Sequence, residues 1–171
     1  MIRKINLFII IFFLLSAKAY SLIEIDITRG NLDPLPIAVS PLFQDDNSKR
    51  NSINELKIEN VGSEISLVVE NNLKISGLFN PLSKEAFLQK PDIAHLKPRF
   101  EDWALIKAQA LITGKVTIED KKLKVEFRLW DILAGREMMA LAFTTVPSNW
   151  RRVGHITVSY THLRAHETCL D

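Results

Sequence analysis

Cysteine is nearly absent: Cys169 alone occurs in 171 residues. One thiol builds neither a disulfide framework nor a cysteine-based metal site. Charge of one sign is also missing, since 22 Lys and Arg face 20 Asp and Glu, for a net charge of +2. Arg3, Lys4 and Lys18 fall in the first twenty residues, and Arg164, Glu167 and Asp171 leave the last stretch at −1. Residues 20–156 are therefore neutral, which gives no electrostatic footprint for nucleic acid. The sequence also lacks a G-x-S-x-G turn, a glycine-rich phosphate loop and a Cys/His dyad. No enzyme and no cofactor is expected.

The N-terminus has a recognisable order. Met1-Ile2-Arg3-Lys4 is basic, Ile5 to Leu15 is apolar apart from Asn6, and Ala17 and Ala19 supply the small residues a signal peptidase needs. Residues 1–19 read as a cleavable secretory signal, with cleavage after Ser21 as the lesser alternative. The apolar run is about half the ~20 residues that span a bilayer, so a membrane anchor is the weaker reading. No cysteine follows the cut to take a lipid. The mature protein is expected outside the cytoplasm, with no membrane insertion after cleavage.

The rest of the chain is organised around Ala104 to Asp131. Leu123, Val125, Phe127 and Leu129 alternate with Lys124, Glu126 and Arg128, the period of an antiparallel strand with one buried face. Ala108 to Ile118 reads as a more buried partner strand, joined to it through Glu119-Asp120-Lys121-Lys122. Leu22 to Thr28 alternates as well and reads as an N-terminal edge strand. Pro36 to Val39 is a short apolar run, and Gln44 to Arg50 reads as a solvated loop. Asn60 to Leu73 carries Val61, Ile65, Val68, Val69 and Leu73 on one helical face, with Ser63 as an early-turn cap. Within Ser76 to Leu82, Gly77 and Pro81 bracket a very short extended piece. Ser83 begins a helical turn, with Glu85 one place short of a capping box. Gln89 to Pro98 reads as loop, and Phe100 to Ile106 as a short helix. Glu137 to Thr145 offers a last strand, and Ser148 is placed to cap a final helix. Strands with two or three covering helices make an α/β two-layer domain around a mixed sheet.

Candidate chemistry is sparse. His162 and His166 are four apart beside Glu167 and Cys169, a helical metal spacing but not that of H-E-x-x-H, so no metal is assigned. His155 reads as a packing or capping residue and His95 as a surface one. Glu101-Asp102 and Glu119-Asp120 sit at helix starts or turns, where acids favour backbone and dipole interactions. Trp103, Trp130 and Trp150 read as core or interface residues.

Four stretches taken in order carry a resemblance. They are Ile75-Ser76-Gly77-Leu78-Phe79-Asn80-Pro81-Leu82; Trp103 with Ala108-Gln109-Ala110-Leu111-Ile112-Thr113-Gly114; Val125-Glu126-Phe127-Arg128-Leu129-Trp130-Asp131; and Trp150-Arg151-Arg152-Val153-Gly154-His155-Ile156. Behind a signal peptide, they resemble the TolB family, periplasmic components of the Tol-Pal envelope system, over residues 20–156. The resemblance implies an N-terminal α/β domain similar to anticodon-binding domains, followed in the family by a β-propeller that this chain lacks. It implies a non-enzymatic role in outer-membrane integrity and envelope constriction at division. It further implies docking of TolA by the segment after the signal cut, here Tyr20, Leu22, Ile23, Glu24, Ile25 and Asp26, and of Pal by the propeller. A free edge in that segment suits strand addition, although it also reads simply as the first strand of the sheet. An exported domain binding a small ligand or nucleic acid is the alternative, suggested only by fold analogy.

The family pattern stops at Ile156. Val158-Ser159-Tyr160-Thr161-His162-Leu163-Arg164-Ala165-His166-Glu167-Thr168 resembles the in-frame translation of a transposase adapter used in sequencing libraries. Residues 157–171 are therefore read as a non-native tail, and the last helix as shortened.

Overall fold

A computed structural model describes residues 33–168. The signal segment, the edge strand expected over Leu22 to Thr28, the docking residues Tyr20, Leu22, Ile23, Glu24, Ile25 and Asp26, and Cys169 lie outside the described residues.

The described chain forms a mixed sheet of six strands in the order β3-β1-β4-β5-β6, with β2 also on β4. The strands are β1 (Leu35–Val39), β2 (Phe43–Gln44), β3 (Phe79–Pro81), β4 (Ala110–Glu119), β5 (Lys122–Asp131) and β6 (Arg136–Thr145). β1 is parallel to both β3 and β4, and β4-β5-β6 is an antiparallel meander. The expected hairpin is present, with all ten residues of β4 in register with β5. Its turn is tighter than the sequence suggested, because Glu119 and Lys122 pair and only Asp120 and Lys121 turn. Both have positive φ, 49° and 57°. That geometry matches the twist of the flanking strands, and aspartate tolerates the left-handed region.

Among the described residues there are five α-helices: α1 (Asp46–Leu56), α2 (Val61–Ile75), α3 (Pro91–Ala94), α4 (Phe100–Leu105) and α5 (Trp150–Thr168). α2 follows the predicted stripe: Val68 is partly buried, and Val61, Ile65, Val69 and Leu73 are fully buried. Each such side chain contributes roughly 1.5–3 kcal/mol on leaving water. Its cap is Asn60, which accepts from Ser63 N–H at 3.0 Å, so Ser63 receives the cap instead of supplying it. α2 and α5 pack side by side on one sheet face, over Ile37, Ile112, Val116, Val125 and Phe127. On the opposite face α3 and α4 cover only part of the sheet, around Trp103, Leu111 and Trp130.

The solvated loop expected over Gln44 to Arg50 is instead the start of α1. Asp45 caps it, accepting from Ser48 N–H at 2.8 Å. The helix escapes a search for apolar period because its buried residues are Ser48 and Ser52. These polar residues take over where β2 stops: Ser48 Oγ accepts from Ile118 N–H at 3.2 Å, and Asn51 Nδ2 donates to Ile118 C=O at 2.7 Å. Two side chains thus satisfy the backbone of β4 in place of a neighbouring strand. Gln89 to Pro98, read as loop, contains the single turn α3. Pro91 opens it, its fixed φ suiting a first helical position. Ser148 lies inside a 3₁₀ turn, Pro147–Asn149, instead of capping α5. α5 continues past Ile156 to Thr168, burying Thr157, Val158 and Thr161. The threonine hydroxyls donate to the carbonyls four residues back, Val153 and Thr157, at 2.9 and 3.1 Å.

A joint links the two halves of the first strand to α2. Pro41 lacks an N–H and separates β1 from β2. Across the gap, the fully buried Ser66 of α2 accepts from Leu42 N–H at 2.9 Å. Its own proton is shared between Gly62 C=O at 2.9 Å and Ser40 C=O at 3.1 Å. Gln44 Oε1 in turn accepts from Gly62 N–H at 3.2 Å.

Candidate docking surfaces and family

Several side chains considered for chemistry have structural partners, while those of His162, His166, Glu167 and Cys169 lie outside the described residues. Arg99 Nε donates to Asp102 at 2.8 Å, and Glu119 sits opposite Lys122 at the hairpin turn. Asn72 Nδ2 donates to His155 Nδ1 at 2.7 Å, tying α2 to α5. His95, expected at the surface, is half-buried and stacks on Phe43 with centroids 4.3 Å apart. The three tryptophans are buried. Trp103 Nε1 donates to Gln89 Oε1 and Trp130 Nε1 to Thr113 Oγ1, each at 2.9 Å, while Trp150 lies under Arg151. Among the described residues, no group of three or more His, Cys, Asp or Glu is placed to hold a metal ion.

Two carboxylates are held below their ordinary range. The Ser48 N–H lowers Asp45, and the Ser83 hydroxyl, which donates to Glu85, lowers that residue. The first is a helix cap and the second a bond between neighbouring side chains, and neither acid lines either of the two concavities below.

What the domain offers is surface. One concavity of about 360 Å³ lies on the sheet face that α3 and α4 leave open, between His95 and the row Lys115, Glu126 and Arg128. Its charges are largely paired: Lys124 meets Glu126 at 2.9 Å and Arg128 meets Glu137 at 3.6 Å. A second, of about 330 Å³, lies between β6 and the start of α5. Among the described residues β6 pairs only with β5, leaving its other edge open. That Glu137 to Thr145 forms a strand was legible in sequence. That β6 is an edge was not, because strand order depends on long-range pairing. No described helix is long and apolar enough to cross a membrane.

Comparison with known proteins fits this architecture. Residues 23–138 match the family model of the TolB amino-terminal domain. The Tol-Pal system protein TolB of Pelagibacter ubique (strain HTCC1062) is 70% identical over 155 residues, covering 91% of this chain and 35% of that relative. The chain thus spans about a third of the relative's length. The crystal structure of TolB from Acinetobacter baumannii superposes with a TM-score of 0.59 at 17% identity, over 77% of this chain and 28% of that one. The structure of protein XCC0632 from Xanthomonas campestris superposes at 0.53 with 8% identity, over 80% and 88%. At such identities the two structures speak to the fold alone, an α/β two-layer arrangement. The match over most of the chain, together with the 70% identity, settles the family: this chain belongs to the TolB amino-terminal domain family.

Proposed function

We propose that this chain is the amino-terminal part of a non-enzymatic Tol-Pal component, exported to the periplasm by a signal peptide over residues 1–19. In this reading it supports outer-membrane integrity and envelope constriction at division. It docks TolA through Tyr20, Leu22, Ile23, Glu24, Ile25 and Asp26. Pal contacts belong to the propeller that follows this domain in the family. The observation that carries the reading is the family match, which begins at residue 23 and so includes four of the six docking residues. The physical support is that Ile23, Ile25 and Ile27 alternate with Glu24, Asp26 and Thr28, a pattern that can add to another sheet through its backbone.

The test is deletion of Tyr20 to Ile25 from the mature chain, with binding to the TolA C-terminal domain measured by calorimetry. Binding is expected to be lost while far-ultraviolet circular dichroism and the melting temperature stay unchanged. Retained binding overturns the assignment of the docking segment.

A further inference from the structure

We propose that the free edge of β6 is a second docking site, which takes an extended peptide strand carrying an acidic side chain. It is separate from the N-terminal segment and does not rest on the TolA reading.

Ten residues of edge strand present some 30 Å of backbone at ~3.4 Å per residue. Edges are normally blunted by lysine, proline or covering elements. β6 has no proline and no lysine, and its only charges, Arg136 and Glu137, sit together at one end. The local irregularity lies there too. Glu137 pairs with Trp130 and Met139 with Leu129, which leaves Met138 as the extra residue. From Met139 to Thr145 the register with β5 is unbroken. Among the described residues, a regular rail of N–H and C=O groups without a strand partner therefore remains on its outer side.

The two faces of that rail differ in a way that selects a ligand. Met139, Leu141 and Phe143 lie opposite Leu129, Phe127 and Val125, on the helix-covered face. An added strand would lay alternate side chains on that face, into the 330 Å³ groove between β6 and α5. Phe143, Val153 and Ile156 make its apolar wall, and Asn149 and Arg152 stand at the Thr145 end. No acidic residue lines this groove, and Arg152 has no ion-pair partner among the described residues. On the other face, Ala140 and Ala142 are exposed and small, which leaves space for the intervening side chains. An edge strand beside a helix-walled groove combines main-chain pairing with side-chain selection, the two elements of recognition by strand addition. Charge complementarity to Arg152 makes the ligand acidic at the end that lies beside Thr145.

The test uses the full chain, labelled for amide exchange by nuclear magnetic resonance. The probe is an acetylated, amidated heptapeptide with Asp, Val and Ile at its second, fourth and sixth positions and Thr elsewhere, oriented antiparallel to β6. At saturation, the outward amides between Met139 and Thr145 should exchange at least tenfold more slowly. Methylating the peptide nitrogens that face β6 should abolish this protection without altering side chains or charge. Arg152→Glu, at an exposed helical position, should weaken the Asp peptide about fivefold and reverse the preference toward a Lys counterpart. Protection that survives methylation, or an Arg152→Glu chain with unchanged preference, overturns the proposal. So do β6 amides already protected without peptide, whether at all concentrations or increasingly with protein concentration. Those results would give the edge to the chain's own residues or to a second copy.

Discussion

Ser66→Ala tests whether the joint at Pro41 holds the broken first strand to α2. The hydroxyl accepts from Leu42 N–H and donates toward Ser40 and Gly62 C=O, all in a site closed to water. Removing it orphans a buried backbone donor, which costs roughly 1–3 kcal/mol, while the carbonyls lose a weaker interaction because each keeps a second lone pair. A loss of about 2 kcal/mol is expected. Ser52→Ala is the matched control: Ser52 is also fully buried, but its Oγ has no hydrogen-bond partner. Deleting that hydroxyl should be neutral or stabilising by up to ~1 kcal/mol. With a urea m-value near 2 kcal/mol/M, Ser66→Ala should lower the denaturation midpoint by about 1 M, followed at 222 nm, and leave the slope unchanged. Ser52→Ala should not lower it. Equal shifts for the two alanines would show that burial of a serine, and not its bonding across the gap, sets the cost.

Gly114→Ala should cost about 3 kcal/mol or abolish soluble expression, because a Cβ there would stand 2.0 Å from Glu126 C=O in β5. An unchanged urea midpoint would refute that close approach. Gln89→Leu removes the acceptor shared by Trp103 Nε1–H and Arg99 N–H. A net loss of about 1 kcal/mol is expected, since the buried and unpartnered Gln89 Nε2 goes with it; thermal unfolding followed by tryptophan fluorescence measures it. Asp45→Ala should cost about 1 kcal/mol at neutral pH through the lost α1 cap. Because the folded Asp45 carboxyl is held below its unfolded value, the cap's contribution is full above about pH 4 and disappears as pH falls through the folded pKa. Wild type should therefore lose its advantage over Asp45→Ala as the pH falls below about 4, and a gap that stays constant on acidification would contradict this.

Periodicity made the meander and α2 legible in advance, since both bury one apolar face. Leu123 to Leu129 alternates in sequence and in burial, and Val61 to Leu73 repeats at helical spacing in both. α1 was hidden because its inward face is serine, and a hydroxyl that bonds β4 backbone leaves no hydrophobic trace. Only Asp45, three residues before Ser48, marked its start. His95 could not be placed from sequence, since its partner Phe43 lies far away in the chain. The open edge of β6 was invisible for the same reason: alternation identifies a strand but not its neighbours. Residues 157–171 were set aside on their likeness to a sequencing adapter, yet α5 runs on into them, burying Thr157 and Thr161. Each buries its hydroxyl by bonding it back along the helix.

The parallel placement of β1 has a consequence for how the domain can be assembled over time. The meander β4-β5-β6 closes through short loops, so its contacts are available as soon as those strands exist. β1, in contrast, pairs Ile37 with Ala110, and its other neighbour is the three-residue β3. Closing such a distance costs chain entropy before any pairing compensates it. A chain delivered from its N-terminus thus presents β1, β2 and α2 before their template has arrived, and the apolar stripe of α2 waits with them. The late-arriving residues decide when the early ones become safe from other partners.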